Sequence, residues 1–163
     1  MNSRIYSNKE LIGTDNLEVG DDSMGCLFGE FRPNEKYFQI AQNVIREFWK
    51  TQKPDYSKLK SLRLNVQLDN QYFLYPAGGI TIEDSIEFPD EPLIIDLAGL
   101  DRIIFEEFIN KTELPNFVEK PWNPLSIEEK IDLENQLFIE MGIESETKSW
   151  LNIFKTKQIS HVL

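Results

Sequence analysis

The sequence predicts an α+β domain: an antiparallel β-meander sheet of about five strands, one long helix on a face of it, and a C-terminal helical extension. Three observations carry that expectation. Leu62, Leu64, Val66 and Leu68 alternate with Arg63, Asn65 and Gln67, the period of a strand with one wet face. Short apolar runs at 72–75, 80–82 and 93–97 follow across tight turns, which makes a meander. Residues 35–51 place Tyr37, Ile40, Ala41, Val44, Ile45, Phe48 and Trp49 on one helical face, with Gln39, Gln42, Asn43, Arg46 and Glu47 on the other.

The elements follow in chain order. Residues 1–22 are polar with scattered apolar positions, which reads as short strands or an arm. Residues 24–31 read as a strand, and Gly25 and Gly29 in it weaken pairing or admit a close backbone neighbour. Arg32-Pro33-Asn34 stops that strand, and Asn34 can accept from the first free amides of the helix that follows. Lys53-Pro54-Asp55 marks the helix exit. In the meander, Asp69-Asn70 is a tight turn and Pro76-Ala77-Gly78-Gly79 a loop. Glu83-Asp84-Ser85 ends the third strand or caps a short turn running to Phe88. Asp101 can cap a helix through about Asn110.

Pro115, Pro121 and Pro124 exclude a long helix from 112–125, while Phe117 and Trp122 there favour an extended arm pressed on the body. Ser126-Ile-Glu-Glu129 is a capping box opening a helix to Met141, with Ile127, Ile131, Leu137, Phe138 and Met141 inward and Gly142 as its stop. A last helix spans about 146–157, and the apolar tail Ile159 to Leu163 could add a strand. The 163 residues are read as one domain: a body at 1–111, the proline-rich arm at 112–125 and the extension at 126–163.

Charge and residue inventory narrow the function classes. The formal charge is −11, which disfavours binding to nucleic-acid phosphates or an anionic membrane and favours a basic protein partner. Acidity for solubility alone is the bland alternative. Without a secretion-type apolar segment at its start, the chain is expected in the cytoplasm. One histidine, His161, and one cysteine, Cys26, cannot build a nucleophile–imidazole pair on a frayed tail or a zinc site, and Cys26 reads as a small buried hydrophobe. Gly78-Gly79 lacks the Lys-Ser/Thr pair of a phosphate loop, so no cofactor is expected. The inventory weighs against an enzyme.

The stretch 83–96 holds Glu83, Asp84, Glu87, Asp90, Glu91 and Asp96 and no basic residue. It reads as a solvated edge that blocks aggregation, as an acidic docking surface, or as a carboxylate metal or acid–base site. The docking reading assigns partner contact to Glu83, Asp84, Glu87, Asp90, Glu91 and Trp122. In size, acidity and lack of a catalytic set, and in no motif, the chain resembles bacterial immunity proteins, a likeness that implies neutralisation of a basic toxin. Two rivals stand beside it. One is a carboxylate-based metal-binding or hydrolytic domain, with Tyr72 or Tyr75 near the Gly78-Gly79 turn. The other is a structural subunit that forms a homodimer through Ile159 to Leu163.

Overall fold

Two antiparallel sheets and four helices make up the computed structural model over the residues it describes: 1–50, 55–69, 71, 73–100 and 126–141. In chain order they are β1 (Asn2–Ser7), β2 (Glu10–Asn16), β3 (Glu18–Val19), β4 (Leu27–Glu30), β5 (Arg32–Pro33), α1 (Glu35–Ile40), α2 (Gln42–Lys50), α3 (Tyr56–Ser61), β6 (Leu64–Leu68), β7 (Phe73–Leu74), β8 (Gly79–Glu83), β9 (Ile94–Ala98) and α4 (Ile127–Met141). The first sheet runs β5-β2-β1-β6-β7 and the second β3-β4-β9-β8. The α+β class holds.

The expected single meander is two sheets. After the two-residue β7, Pro76 has no amide to continue a ladder. The chain turns there, with Gly79 N donating to Pro76 O (3.1 Å), and Ala77 and Gly78 donate to Gly99 O and Ala98 O (2.9 and 2.8 Å). That swings β8 onto β9, from Gly79↔Ala98 to Glu83↔Ile94, and away from β7.

The N-terminal stretch, expected as short strands or an arm, supplies the centre. β1 lies between β2 and β6. Two runs of chain then cross between the sheets. β2 passes into β3 at Leu17, and β4 passes into β5 at Phe31. Both corner side chains are buried, so apolar surface fills each bend. Gly25 sits at φ 63 where its Cα meets Leu100; a Cβ there would stand 2.6 Å from Leu100 O. The expected close approach at this glycine is therefore real.

The helix expected over residues 35–51 is interrupted once. Asn34 caps it as anticipated, its Oδ1 accepting from Lys36 N (2.9 Å) and Tyr37 N (3.3 Å). Ala41, at φ −113 and ψ −40, separates α1 from α2, although Tyr37 O and Ala41 O still accept from Ala41 N and Ile45 N. The inward stripe shifts at that point. Tyr37, Ala41, Ile45 and Phe48 are buried, whereas Ile40 is 40% and Trp49 44% exposed. α3 was not anticipated; Asp55 caps it by accepting from Ser57 N and Lys58 N (3.0 and 3.2 Å).

One face of the first sheet packs against the second sheet and the α1–α2 pair through a single core that includes Ile5, Ile12, Val66, Ile82, Ile95 and Ile45. Each such fully buried aliphatic side chain contributes roughly 1.5–3 kcal/mol. The opposite face carries a smaller cluster of Tyr6, Phe73, Ile127 and Ile131, where α4 lies. The capping box of α4 forms as anticipated: Ser126 N donates to Glu129 Oε2 (2.7 Å) and Glu129 N to Ser126 Oγ (3.1 Å). Expectations for 101–125, 142–157 and the tail Ile159 to Leu163 lie outside the described residues, as do the side chains of Leu137, Phe138 and Met141. Among the described residues no helix is long and apolar enough to cross a membrane.

Candidate functional site

β8 and β9 are joined by a loop, residues 84–93, rooted by a buried carboxylate. Asp84 follows the last β8 residue and turns inward, 6% exposed. Its Oδ2 accepts from the Tyr37 hydroxyl (2.8 Å) and Gln42 Nε2 (3.0 Å), and its Oδ1 from Arg46 Nε (2.7 Å). The Trp49 indole N–H donates to Ile82 O (2.6 Å) two residues before it. Four side chains of α1 and α2 therefore fix the loop's entry. Burial and the neighbouring carboxylate hold the Tyr37 phenol well above its ordinary range, so it stays a donor. At the exit, Phe31 N donates to Leu93 O (2.8 Å).

Between these anchors residues 86–92 are exposed. Glu87 N donates to Ser85 Oγ (3.1 Å) and Glu91 N to Phe88 O (3.2 Å), two local turns. Ile86 is 55% and Phe88 56% exposed. Glu83, Glu87, Asp90 and Glu91 are exposed around them, and no basic residue occurs from Leu64 to Leu100. The loop thus carries two exposed apolar side chains interspersed along the chain with exposed carboxylates. Asp96, half-buried on β9, is raised from its ordinary value by burial.

Asp84 is corrected by this geometry. Expected with the docking carboxylates, it is an internal anchor, because three donors of the α1–α2 pair hold it inside. Its apolar parity after Ile80 and Ile82 was the sequence sign of that inward position. Glu83, Glu87, Asp90 and Glu91 lie on or beside the exposed loop. Trp122, Phe117, Tyr72 and His161 lie outside the described residues. Tyr75 packs against the cluster of Tyr6, Phe73, Ile127 and Ile131, with its phenol raised by burial and by Glu134. Cys26 is half-buried, where a buried hydrophobe was expected. Among the described residues no three His, Cys, Asp or Glu side chains gather as metal ligands.

Two further buried charges were not anticipated. Asp15, on β2, is 4% exposed and both its carboxylate oxygens lack a hydrogen-bond partner. Its carboxylate lies against Gly29 of β4; a Cβ at Gly29 would stand 2.3 Å from Asp15 Oδ1. Burial pushes Asp15 up to about 6, opposed by the nearby Asn16 backbone, the positive N-terminus and Arg32. Ser3, its register partner on β1, also has a buried hydroxyl without a partner. The second charge is Lys130 on α4, 2% exposed. Its ammonium bonds to Asn65 Oδ1 and Glu134 Oε1 and lies 5.4 and 5.0 Å from the Phe73 and Tyr75 ring centres. Burial lowers its pKa, and Glu134 opposes that shift. The sequence signal for Lys130 was its place on the stripe Ile127, Lys130, Ile131, Glu134, three and four residues apart.

Comparison of the chain with family models, curated proteins and solved structures finds no match in any of the three.

Proposed function

We propose that the protein is a non-catalytic binder of a basic protein partner, acting through the loop at residues 84–93. One observation supports this most: Ile86 and Phe88, each more than half exposed, sit among Glu83, Glu87, Asp90 and Glu91 on a loop whose entry is locked by Asp84. Exposed apolar side chains supply contact area, and the surrounding carboxylates steer a cationic surface towards them. The locked root keeps the loop in shape before binding, which reduces the ordering cost of association. The finer reading is neutralisation in the cytoplasm of a basic toxin whose phosphate-binding cleft the acidic loop occupies, with the immunity-type resemblance as its support.

Co-purification with the product of the neighbouring reading frame, followed by calorimetric titration at two salt concentrations, tests the proposal. A basic partner should bind with an affinity that falls steeply as salt rises. Replacing Glu83, Glu87 and Glu91 together by lysine should weaken it at least about tenfold, and Phe88→Ala should weaken it with little change in salt dependence. Unchanged affinity of the triple reversal at low salt would exclude the loop as the contact.

A further inference from the structure

The second sheet is buried on one side and reaches solvent on the other. Leu27, Ile82, Ile95 and Leu97 point inward and lie in the core. The residues that alternate with them make the outer face. Strand register arranges that face in two rows. In the first, Glu18 on β3 stands opposite Phe28 on β4, and Phe28 opposite Asp96 on β9. In the second, two residues along, Glu30 on β4 stands opposite Ile94 on β9, and Ile94 opposite Glu83 on β8. Each row sets one apolar side chain between two carboxylates on the flanking strands. All six residues are at least partly exposed, Phe28 by 39%.

Phe28 and Ile94 are diagonal neighbours on β4 and β9, roughly 7–8 Å apart, so one apolar side chain laid on the sheet can touch both. The four carboxylates flank that pair at about 4.8 Å, one strand spacing. An apolar middle with a charged margin is the layout of a protein interface. Burial raises the Asp96 carboxyl above its ordinary value, and a cation brought beside it would favour its ionised form. Glu83 and Ile94 are also the residues on either side of the loop at 84–93, so loop and face are continuous. We propose, on the reading that the partner is basic, that this outer face is its main seat: a lysine- or arginine-bearing segment docks across β4 and β9, rests an apolar side chain on Phe28 and Ile94, and sets its charges against Glu18, Glu30, Glu83 and Asp96, with the loop as the margin of the contact.

NMR titration of the isotope-labelled full chain with two synthetic peptides tests the face. One is a lysine–serine peptide with two central leucines; the other has serine in their place. The leucine peptide should bind several-fold more tightly and shift the amides of Phe28, Ile94 and Asp96 first. Phe28→Ala should erase that preference. Glu18→Lys with Glu30→Lys should weaken both peptides at least about fivefold. Glu47→Lys with Glu128→Lys, the same change of charge on α2 and α4, should weaken them less. These four glutamates are exposed, so the reversals read the face even if the Phe28 variant fails to fold. Shifts confined to residues 84–93, with Glu87→Lys and Glu91→Lys abolishing binding and the sheet variants neutral, would overturn the face and leave the loop reading standing. Losses on the sheet with none at Glu87 and Glu91 would support the face and exclude the loop. No binding, or equal weakening by all three pairs of reversals, would overturn the face together with the basic-partner reading.

Discussion

On one face of the five-stranded sheet, Ile5, Val66 and Leu74 meet the second sheet and the α1–α2 pair through a continuous apolar core; on the other, among the described residues, Tyr6 and Phe73 meet Ile127 and Ile131 of α4 beside a set of ion pairs. Both faces bury charge, and they satisfy it differently. Asp84, on the apolar side, is met by three donors from α1 and α2. Lys130, on the α4 side, is met by an amide, a carboxylate of its own helix and two ring faces. Asp15 is met by none. A buried charge thus fastens a helix, roots a loop or simply opposes folding, depending on the donors that its neighbours supply.

The sharpest way to break the comparison is Asp84→Ala. It strands the Tyr37 hydroxyl and unpairs Arg46, so it should cost about 3–5 kcal/mol in a urea unfolding experiment. A loss near that of an exposed ion pair, below about 1 kcal/mol, would mean that the loop root is not buried in solution. Next in size is a matched pair of truncations. Ile45→Ala, in the continuous core, should lower global stability by about 3 kcal/mol. Ile131→Ala, in the cluster with Tyr6, Phe73 and Ile127, should lower it by about 2 kcal/mol. Equal losses would mean that the two faces pack alike.

The last effect comes from the unpartnered acid. Asp15 is raised from 3.8 unfolded to about 6 folded, so folding favours its protonated form. Its contribution is fully present below about pH 4 and is lost as pH rises through about 6, a change of about 3 kcal/mol at full ionisation. Asp15→Asn cannot ionise. It should therefore raise stability by about 2 kcal/mol at pH 8, and the gain should shrink towards pH 4. Thermal melts across that range check both the sign and the window.

Much of the framework was legible because it rests on local signals. Asn34 and the Ser126–Glu129 box each act within one turn of chain, and each appears where local chemistry puts it; the alternation from Leu62 to Leu68 marks the strand β6, but its expected wet face is dry, because Asn65 and Gln67 are buried. The split into two sheets was not legible, because the pairing of β8 with β9 is decided across the fold and not within the run. β1 was obscured for a different reason. Ser3 and Ser7 are polar yet buried, so the strand shows no apolar alternation to read. In the candidate site, the acidic run was visible, but charge alone does not separate Asp84 from its neighbours. Only its parity with Ile80 and Ile82 did, and the donors that hold it come from helices some forty residues earlier. Asp15 left no trace at all, since its burial depends on Gly29 lying opposite it in the other sheet.

The corners at Leu17 and Phe31 carry a consequence for any attempt to dissect the molecule. Because single runs of polypeptide serve both sheets, no cut between the sheets leaves either half with its full set of strands. Fragments ending at residue 17 or beginning at residue 31 would each expose unpaired strand edges and self-associate. A version lacking only the segment from Ser126 onward keeps every strand among the described residues.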